Sequence, residues 1–199
     1  VQDSDQQRKL MTIIQEDVVR LDRLLTDISD ASRLDAELSR AVMKSVNISP
    51  ILSTLVDAYR ISDGTDAPNV RMEEIDDLMV SGIESRLAQV FRNMIGNAIS
   101  FSPADSDIVV SAVKNGTTVE ITVADQGPGI PEGKEADIFN RFYTERPESE
   151  KFGSHSGLGL SISRQIIETH EGTMFAENIR NDDGSVCGAR FVVRLPPEA

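Results

Sequence analysis

From about residue 5 to residue 43, apolar residues fall at Leu10, Ile14, Val18, Leu21, Leu25 and Ile28, three or four apart, with no proline or glycine between them. That spacing predicts one long amphipathic helix. The opposite face carries Glu16, Asp17, Arg20, Asp22, Arg23 and Asp27. A lone helix of this kind is marginal in water unless its stripe packs on something. An ordinary core helix is the plain reading, but a stripe this long at the terminus favours a bundle or coiled-coil partner. Ser49-Pro50 then reads as a second helix start, serine capping and proline in the first turn, with Leu52, Leu55, Val56 and Tyr59 on one side and an end near residues 62–64.

Short strands are expected at 69–73 and 78–81, followed by a helix over 84–101 that turns Leu87, Val90, Phe91, Met94, Ile95 and Ala98 inward and stops at Ser102-Pro103. Residues 107–114 and 117–124 alternate apolar and polar around Asn115-Gly116, the signature of a β-hairpin. Residues 126–156 are rich in glycine, proline and charge, and are too long for an ordinary connection, so a ligand lid is expected there. A helix over 160–170, closed by Gly172, and strands at 173–177 and 189–195 around Asp183-Gly184 complete the pattern. Helices on one face of a mostly antiparallel sheet make an α+β fold, a two-layer α/β sandwich preceded by the long helix.

Charge narrows the chemistry. With 20 basic and 33 acidic residues the net charge is −13. No basic surface is available for a nucleic-acid backbone, and nucleic acid is not an expected partner. Acidic chains are commonly just soluble, and a polyanion would have to be held by local dipoles and a cation. The single cysteine, Cys187, rules out an internal disulfide and offers no metal cluster, which fits a reducing compartment. No apolar run approaches the roughly 20 residues that cross a bilayer, and the first residues lack the build of a signal peptide. The piece is therefore expected to be soluble and cytoplasmic.

Four stretches carry possible chemistry. Asn93 and Asn97 lie four apart on one face of the 84–101 helix. An amide oxygen suits Mg²⁺, which keeps several waters and bridges phosphates, although paired asparagines on a helix are more often surface or capping residues. In Val-Ala-Asp-Gln-Gly-Pro-Gly-Ile, Asp125 ends a strand before Gly127 and Gly129, which permit a tight turn and the close approach of a flat ligand. A carboxylate accepts from the exocyclic amine of adenine but faces the carbonyl of guanine; an ordinary strand-end turn is the alternative. Gly153, Gly157 and Gly159 precede a helix whose free N–H groups favour phosphate. No Gly-Lys-Ser/Thr follows, and a loop rather than a strand comes before, so neither a Walker loop nor a dinucleotide fold is indicated. Phe139, Phe142 and Tyr143 read as a hydrophobic anchor, both phenylalanines packed, with Arg141 and Arg146 as possible phosphate contacts.

Asn93-Met-Ile-Gly-Asn97, Asp125-Gln-Gly-Pro-Gly129, Phe139-Asn-Arg-Phe142 and Gly157-Leu-Gly-Leu160, in this order, resemble the N, G1, F and G2 boxes of bacterial sensor histidine kinases, members of the GHKL superfamily with the Bergerat fold shared with gyrase, Hsp90 and MutL. The resemblance covers about residues 47–196. Phe142-Tyr-Thr-Glu-Arg-Pro147, residues 156–165 and Gly188-Ala-Arg-Phe191 look like the ChvG/ExoS envelope-sensing kinases of alphaproteobacteria. The first helix looks like the second helix of the dimerisation and phosphoacceptor hairpin, which divides the chain into 1–45 and a catalytic ATP-binding domain over 46–199 with its lid at about 130–156.

The resemblance implies ATP and Mg²⁺ as cofactors, with Asn97 as the Mg²⁺ ligand, Asn93 supporting the phosphates and Asp125 holding the adenine amine. Gly127 and Gly129 would shape the base pocket, Gly157, Leu158, Gly159 and Leu160 would cradle the phosphates, and Ile130 and Tyr143 would be further nucleotide-binding residues. Ser100 stands where many relatives carry a phosphate-binding lysine and Thr144 where many carry arginine, which Arg146 or Lys151 would offset. The two histidines, His155 and His170, lie in the lid and near a helix end, and neither resembles a phosphoacceptor. The resemblance therefore implies transfer of the ATP γ-phosphoryl to a histidine absent from this chain, then to an aspartate of a response regulator. No catalytic residue is expected here, nor autophosphorylation by the chain alone. Full-length relatives are homodimers in the inner membrane, reached through segments missing here. A degenerate nucleotide-binding module, favoured by Ser100, and a different ATPase or anti-sigma kinase of the superfamily remain the rival readings.

Overall fold

The computed structural model describes residues 41–62, 67–73, 77–143 and 157–198, together with scattered helical positions between 10 and 32. The long helix expected before residue 43 lies mostly outside these residues. Leu10, Met11, Ile14, Val18 and Leu25 are helical and exposed where described, and the chain is no longer helical at 41–43.

The described elements run β1 (Lys44–Asn47), α1 (Ile48–Ser62), β2 (Asn69–Met72), β3 (Met79–Gly82), α2 (Glu84–Phe101), β4 (Asp107–Asn115), β5 (Thr118–Ala124), a short 3-10 turn (Asp137–Phe139), α3 (Gly159–Thr169), β6 (Thr173–Arg180) and β7 (Val186–Leu195). Five strands form the main sheet in the order β2-β4-β5-β7-β6. Only β2 and β4 run parallel; the other neighbours are antiparallel.

Alternation within the strands decides which face is covered, because successive side chains point to opposite sides. Val110 faces Val123, and Ala112 faces Ile121; Ile121 in turn faces Val193. All of these are buried. They meet Ile51, Leu52 and Val56 of α1, the six inward residues of α2, and Ile162, Ile166 and Ile167 of α3 in one core. Each fully buried aliphatic side chain stabilises the fold by roughly 1.5–3 kcal/mol, so these stripes decide which side of the sheet the helices occupy. The other face is mixed: Val192 and Phe175 share it with polar side chains, and Val192 is buried. Ser111 and Thr122 share a hydroxyl hydrogen bond of 2.7 Å, and Arg194 pairs with Glu120 at 2.7 Å. The molecule is the expected two-layer α/β sandwich.

Three local features depart from the sequence reading. Strand β1, not expected, pairs antiparallel with β3 in a second small sheet, which a bridge from Val80 to Pro197 extends. It begins at Lys44 and so straddles the boundary drawn at 45/46. Helix α1 starts at Ile48, and its cap is Asn47, whose Oδ1 accepts the Ser49 N–H at 3.1 Å; Ser49 lies inside the helix. At the end of α3 the left-handed residue is Glu171, φ 58°, rather than Gly172. The Gly172 N–H donates to Ile167 O at 2.9 Å and the Glu171 N–H to Glu168 O at 3.1 Å, the paired bonds of a Schellman ending. Gly172 is required by space, since a Cβ there would lie 2.5 Å from Arg194 O.

Candidate functional site

Helix α2 brings one polar stripe to the start of α3. The Asn93 Nδ2 donates to Gly159 O and to Ser163 Oγ, both at 3.1 Å, and Ser163 Oγ also donates to Gly159 O at 2.8 Å. Ser163 is completely buried. The Asn93 amide lies against Gly159, where a Cβ would sit 3.6 Å away in ordinary van der Waals contact. Asn97 is one turn further along α2, half-buried, and its amide has no hydrogen bond to a described residue.

The loop after β5 is held tightly. Asp125 is buried, and its Oδ1 accepts the N–H groups of Gly127 at 2.8 Å and Ala189 at 3.1 Å. Its own N–H donates to Ala189 O at 2.9 Å. One carboxylate oxygen is thus fixed by the backbone while Oδ2 remains as an acceptor. Burial pushes the carboxyl pKa up, against the lowering effect of the two N–H donors. Gly127 passes close to α2, since a Cβ there would be 2.8 Å from Phe101 O. Gly129 has φ 79°, and a Cβ would be 2.3 Å from Val186 Cγ1. Glycine is required at both positions.

The residues expected to cradle phosphate, Gly157 to Leu160, lie at the amino end of α3. No side chain caps that end, so its first backbone donors are not taken up by a cap. Leu158 is buried and Leu160 packs against the core, so both side chains are taken up by packing. Gly157 has φ 69°, and its carbonyl accepts the Phe142 N–H at 3.0 Å, bringing residues 142–143 beside the cradle. Phe139 is buried beneath the Arg164 guanidinium, 5.3 Å from the ring centroid. Phe142 is not packed: it is 63% exposed, with φ 64°. The expectation that both phenylalanines pack therefore holds for Phe139 alone, because the left-handed turn at 142 carries its side chain outward. Tyr143 is half-buried and Arg141 exposed. Thr144, Arg146, Lys151, Gly153 and His155, and the lid beyond Tyr143, lie outside the described residues.

The structure brings Asn93, Gly157, Leu158, Gly159 and Leu160 into one cluster, with Asp125, Gly127, Gly129 and Ile130 forming a second wall against β7 and the end of α2. Sequence reasoning missed four supports. Ser163 and Ala189 are too ordinary to signal anything alone. Gly188 approaches so closely that a Cβ would come within 1.9 Å of Asp125 O. Asn178, a poor strand former in the middle of β6, was the one available signal. His170, at the end of α3, is buried; its Nε2 accepts the Ile83 N–H at 3.0 Å, and its Nδ1 lies 2.7 Å from Ile166 O. That pairing requires the neutral Nδ1–H tautomer, and burial lowers its pKa accordingly. Among the described residues no helix is long and apolar enough to cross a membrane.

Residues 82–199 match the family model for the histidine kinase-, DNA gyrase B- and HSP90-like ATPases. The chain is 48% identical over 200 residues to the sensor protein ChvG of Rhizobium meliloti, covering 96% of this chain and 35% of that protein. It is 43% identical over 201 residues to the ChvG of Agrobacterium fabrum, covering 96% and 34%. The chain thus spans about a third of the length of these curated relatives. The crystal structure of the ATP-binding domain of PrrB from Mycobacterium tuberculosis superposes with a TM-score of 0.60 at 29% identity, covering 80% of this chain and all of that one. A family model that spans well over half of the sequence, on a fold and a glycine-lined site that agree with it, establishes that this chain belongs to the histidine kinase-, DNA gyrase B- and HSP90-like ATPase family.

Proposed function

We propose that this chain binds Mg·ATP and serves as the catalytic part of a two-component sensor kinase. The observation that carries the reading is Asp125, a buried carboxylate with one oxygen fixed by two backbone N–H groups and the other left to accept. Such a group recognises the exocyclic amine of adenine and disfavours guanine. Gly127 and Gly129 leave room for the flat base beside it, with Ile130 and Tyr143 as further walls. The backbone donors of Gly157, Leu158, Gly159 and Leu160 suit the phosphate chain, aided by the positive end of the α3 dipole.

Asn93 acts through α3. Its Nδ2 holds the first turn of that helix, so it supports the phosphates by fixing the donors that meet them. Asn97 fits Mg²⁺, being a half-buried hard-oxygen ligand with no described hydrogen-bond partner. Mg²⁺ bound there would neutralise phosphate charge and align the γ-phosphoryl group. The remaining contribution is positioning, since phosphoryl transfer needs little covalent help from the protein. Arg141, Arg146 and Lys151 are the further phosphate contacts in this reading.

The relatives named sensor proteins support a sensor kinase; in this reading its acceptor is neither His155 nor His170, its partner is a response regulator, and it works as a homodimer attached to the inner membrane. In this reading the hairpin's second helix ends before the non-helical residues 41–43, and the catalytic domain begins with strand β1, which pairs with β3.

Calorimetric titration with a non-hydrolysable ATP analogue tests the site, with and without Mg²⁺, against GTP and against Asp125→Asn. Magnesium-dependent binding that prefers ATP and disappears in the variant is expected. Phosphorylation of a separately supplied acceptor helix tests the kinase reading, and nucleotide binding without transfer would favour a regulatory module.

A further inference from the structure

We propose that Asn178 is a positioning residue of the nucleotide site, gripping the far end of the 125–130 strap through the backbone of Ile130; the inference rests on the nucleotide-binding reading above. The Asn178 Oδ1 accepts the Ile130 N–H at 2.6 Å, and its Nδ2 donates to the Ile130 carbonyl at 2.7 Å. One side chain thereby satisfies both polar groups of one residue, as a neighbouring strand would. Only one orientation of the amide does so, because the flipped amide would set donor against donor and acceptor against acceptor.

Asn178 stands opposite Ala189 in the β6–β7 ladder. Ala189 is the residue whose N–H holds the Asp125 carboxylate and whose carbonyl accepts the Asp125 N–H. A single rung of the sheet therefore holds the strap at both ends: Ala189 by its backbone at residue 125, Asn178 by its side chain at residue 130. Between these grips Gly129, at φ 79°, turns the chain so tightly that a Cβ would lie 2.7 Å from Asn178 Oδ1. The strap is the wall against which the base would rest. A wall fixed before the ligand arrives does not have to be ordered on binding, and nucleotide affinity rises accordingly. Asn178 need not touch the ligand.

Asparagine is specified closely. Aspartate has the same shape but turns a second acceptor towards the Ile130 carbonyl, and alanine supplies neither partner. Both substitutions leave the β6–β7 ladder bonds, which are backbone bonds, in place.

The test uses the whole 199-residue chain with Asn178→Ala and Asn178→Asp, and Asp125→Asn as the control for the nucleotide reading. Two quantities are read: the hydrogen-exchange rate of the Ile130 amide without ligand, and the Kd for a non-hydrolysable ATP analogue with Mg²⁺. We expect Ile130 exchange to accelerate about tenfold or more in both Asn178 variants while the β6–β7 ladder amides keep their protection. The Kd should rise about tenfold, the scale of one or two lost positioning bonds. Wild-type binding that both Asn178 variants leave unchanged overturns the inference and spares the nucleotide reading, as does an Ile130 amide that stays protected. Absence of binding by the folded wild type, seen alike in Asp125→Asn, overturns both. Loss of ladder protection together with Ile130 protection assigns Asn178 to general stability and overturns the positioning role.

Discussion

Asp125 is buried, and burial works against its charge. Its folded pKa is raised, so the folded state favours the protonated form. The protonated carboxyl group therefore contributes most to stability below its unfolded value of about 3.8, and that contribution is lost as pH rises through the folded pKa. Asp125→Asn removes this penalty while keeping an acceptor for Gly127 and Ala189. The variant should melt at the same or a higher temperature than wild type at neutral pH, with the difference closing in acid, and should not bind ATP; thermal melts across pH beside calorimetry check both. His170 runs the other way. Burial lowers its pKa, so its contribution is complete above the unfolded value of 6.5 and falls as pH drops through the interval below it. His170→Ala should leave the Ile83 N–H without its acceptor, at a cost of about 1–3 kcal/mol, and should flatten the pH dependence of stability between neutral and mildly acidic pH. Gly188→Ala would push a methyl into the Asp125 carbonyl, 1.9 Å away. It should destabilise the chain by about 1–3 kcal/mol and weaken nucleotide binding, both readable in one thermal-shift series.

At the scale of elements, α3 joins the glycine-lined turn at residues 157–159 at one end to the sheet at the other, and its ending separates two roles that sequence assigns to one residue. A glycine just after a helix suggests the left-handed cap, yet Glu171 takes that conformation and Gly172 is reserved for the approach to Arg194 and Leu195. Glu171→Gly should relieve left-handed strain and, after the extra chain entropy of glycine, stabilise by on the order of 0.5 kcal/mol, about 1–2 °C in Tm. Gly172→Ala should lower Tm, because β7 cannot yield without disturbing its ladder with β5 and β6. Urea unfolding of the pair decides between a cap and a spacing role. Helix α2 and the β4–β5 hairpin were legible because each writes a clean period: six inward residues at helical spacing, and alternation around Asn115-Gly116. Strand β1 was not. Its four residues are too short for a period, and it exists because β3, itself bridged from Val80 to Pro197, offers it a partner.

For the molecule as a whole, nucleotide binding and folding should be linked. If the analogue binds only the folded chain, a concentration of 100 times Kd should add about 2.7 kcal/mol of stability, and the Asn178 and Asp125 variants should lose that increment in proportion to their affinity; thermal shift against ligand concentration measures it. The sequence by itself determined the layers of the sandwich, because hydrophobic period is a local property that survives without neighbours, and its four glycine- and asparagine-bearing motifs carried the resemblance to the family. It also placed Asp125 at a strand end and Asn93 and Asn97 on one helix face. What holds those groups was decided only by the tertiary structure. The Ala189 N–H on Asp125, the Ser163 hydroxyl under Asn93, the Asn178 amide on Ile130 and the His170 ring on Ile83 each join residues 48 or more positions apart. A hydrogen bond at 3 Å between distant segments leaves no period in the chain, since any polar residue could have made it and only the packing of α2, α3 and the β6–β7 ladder selects which one does.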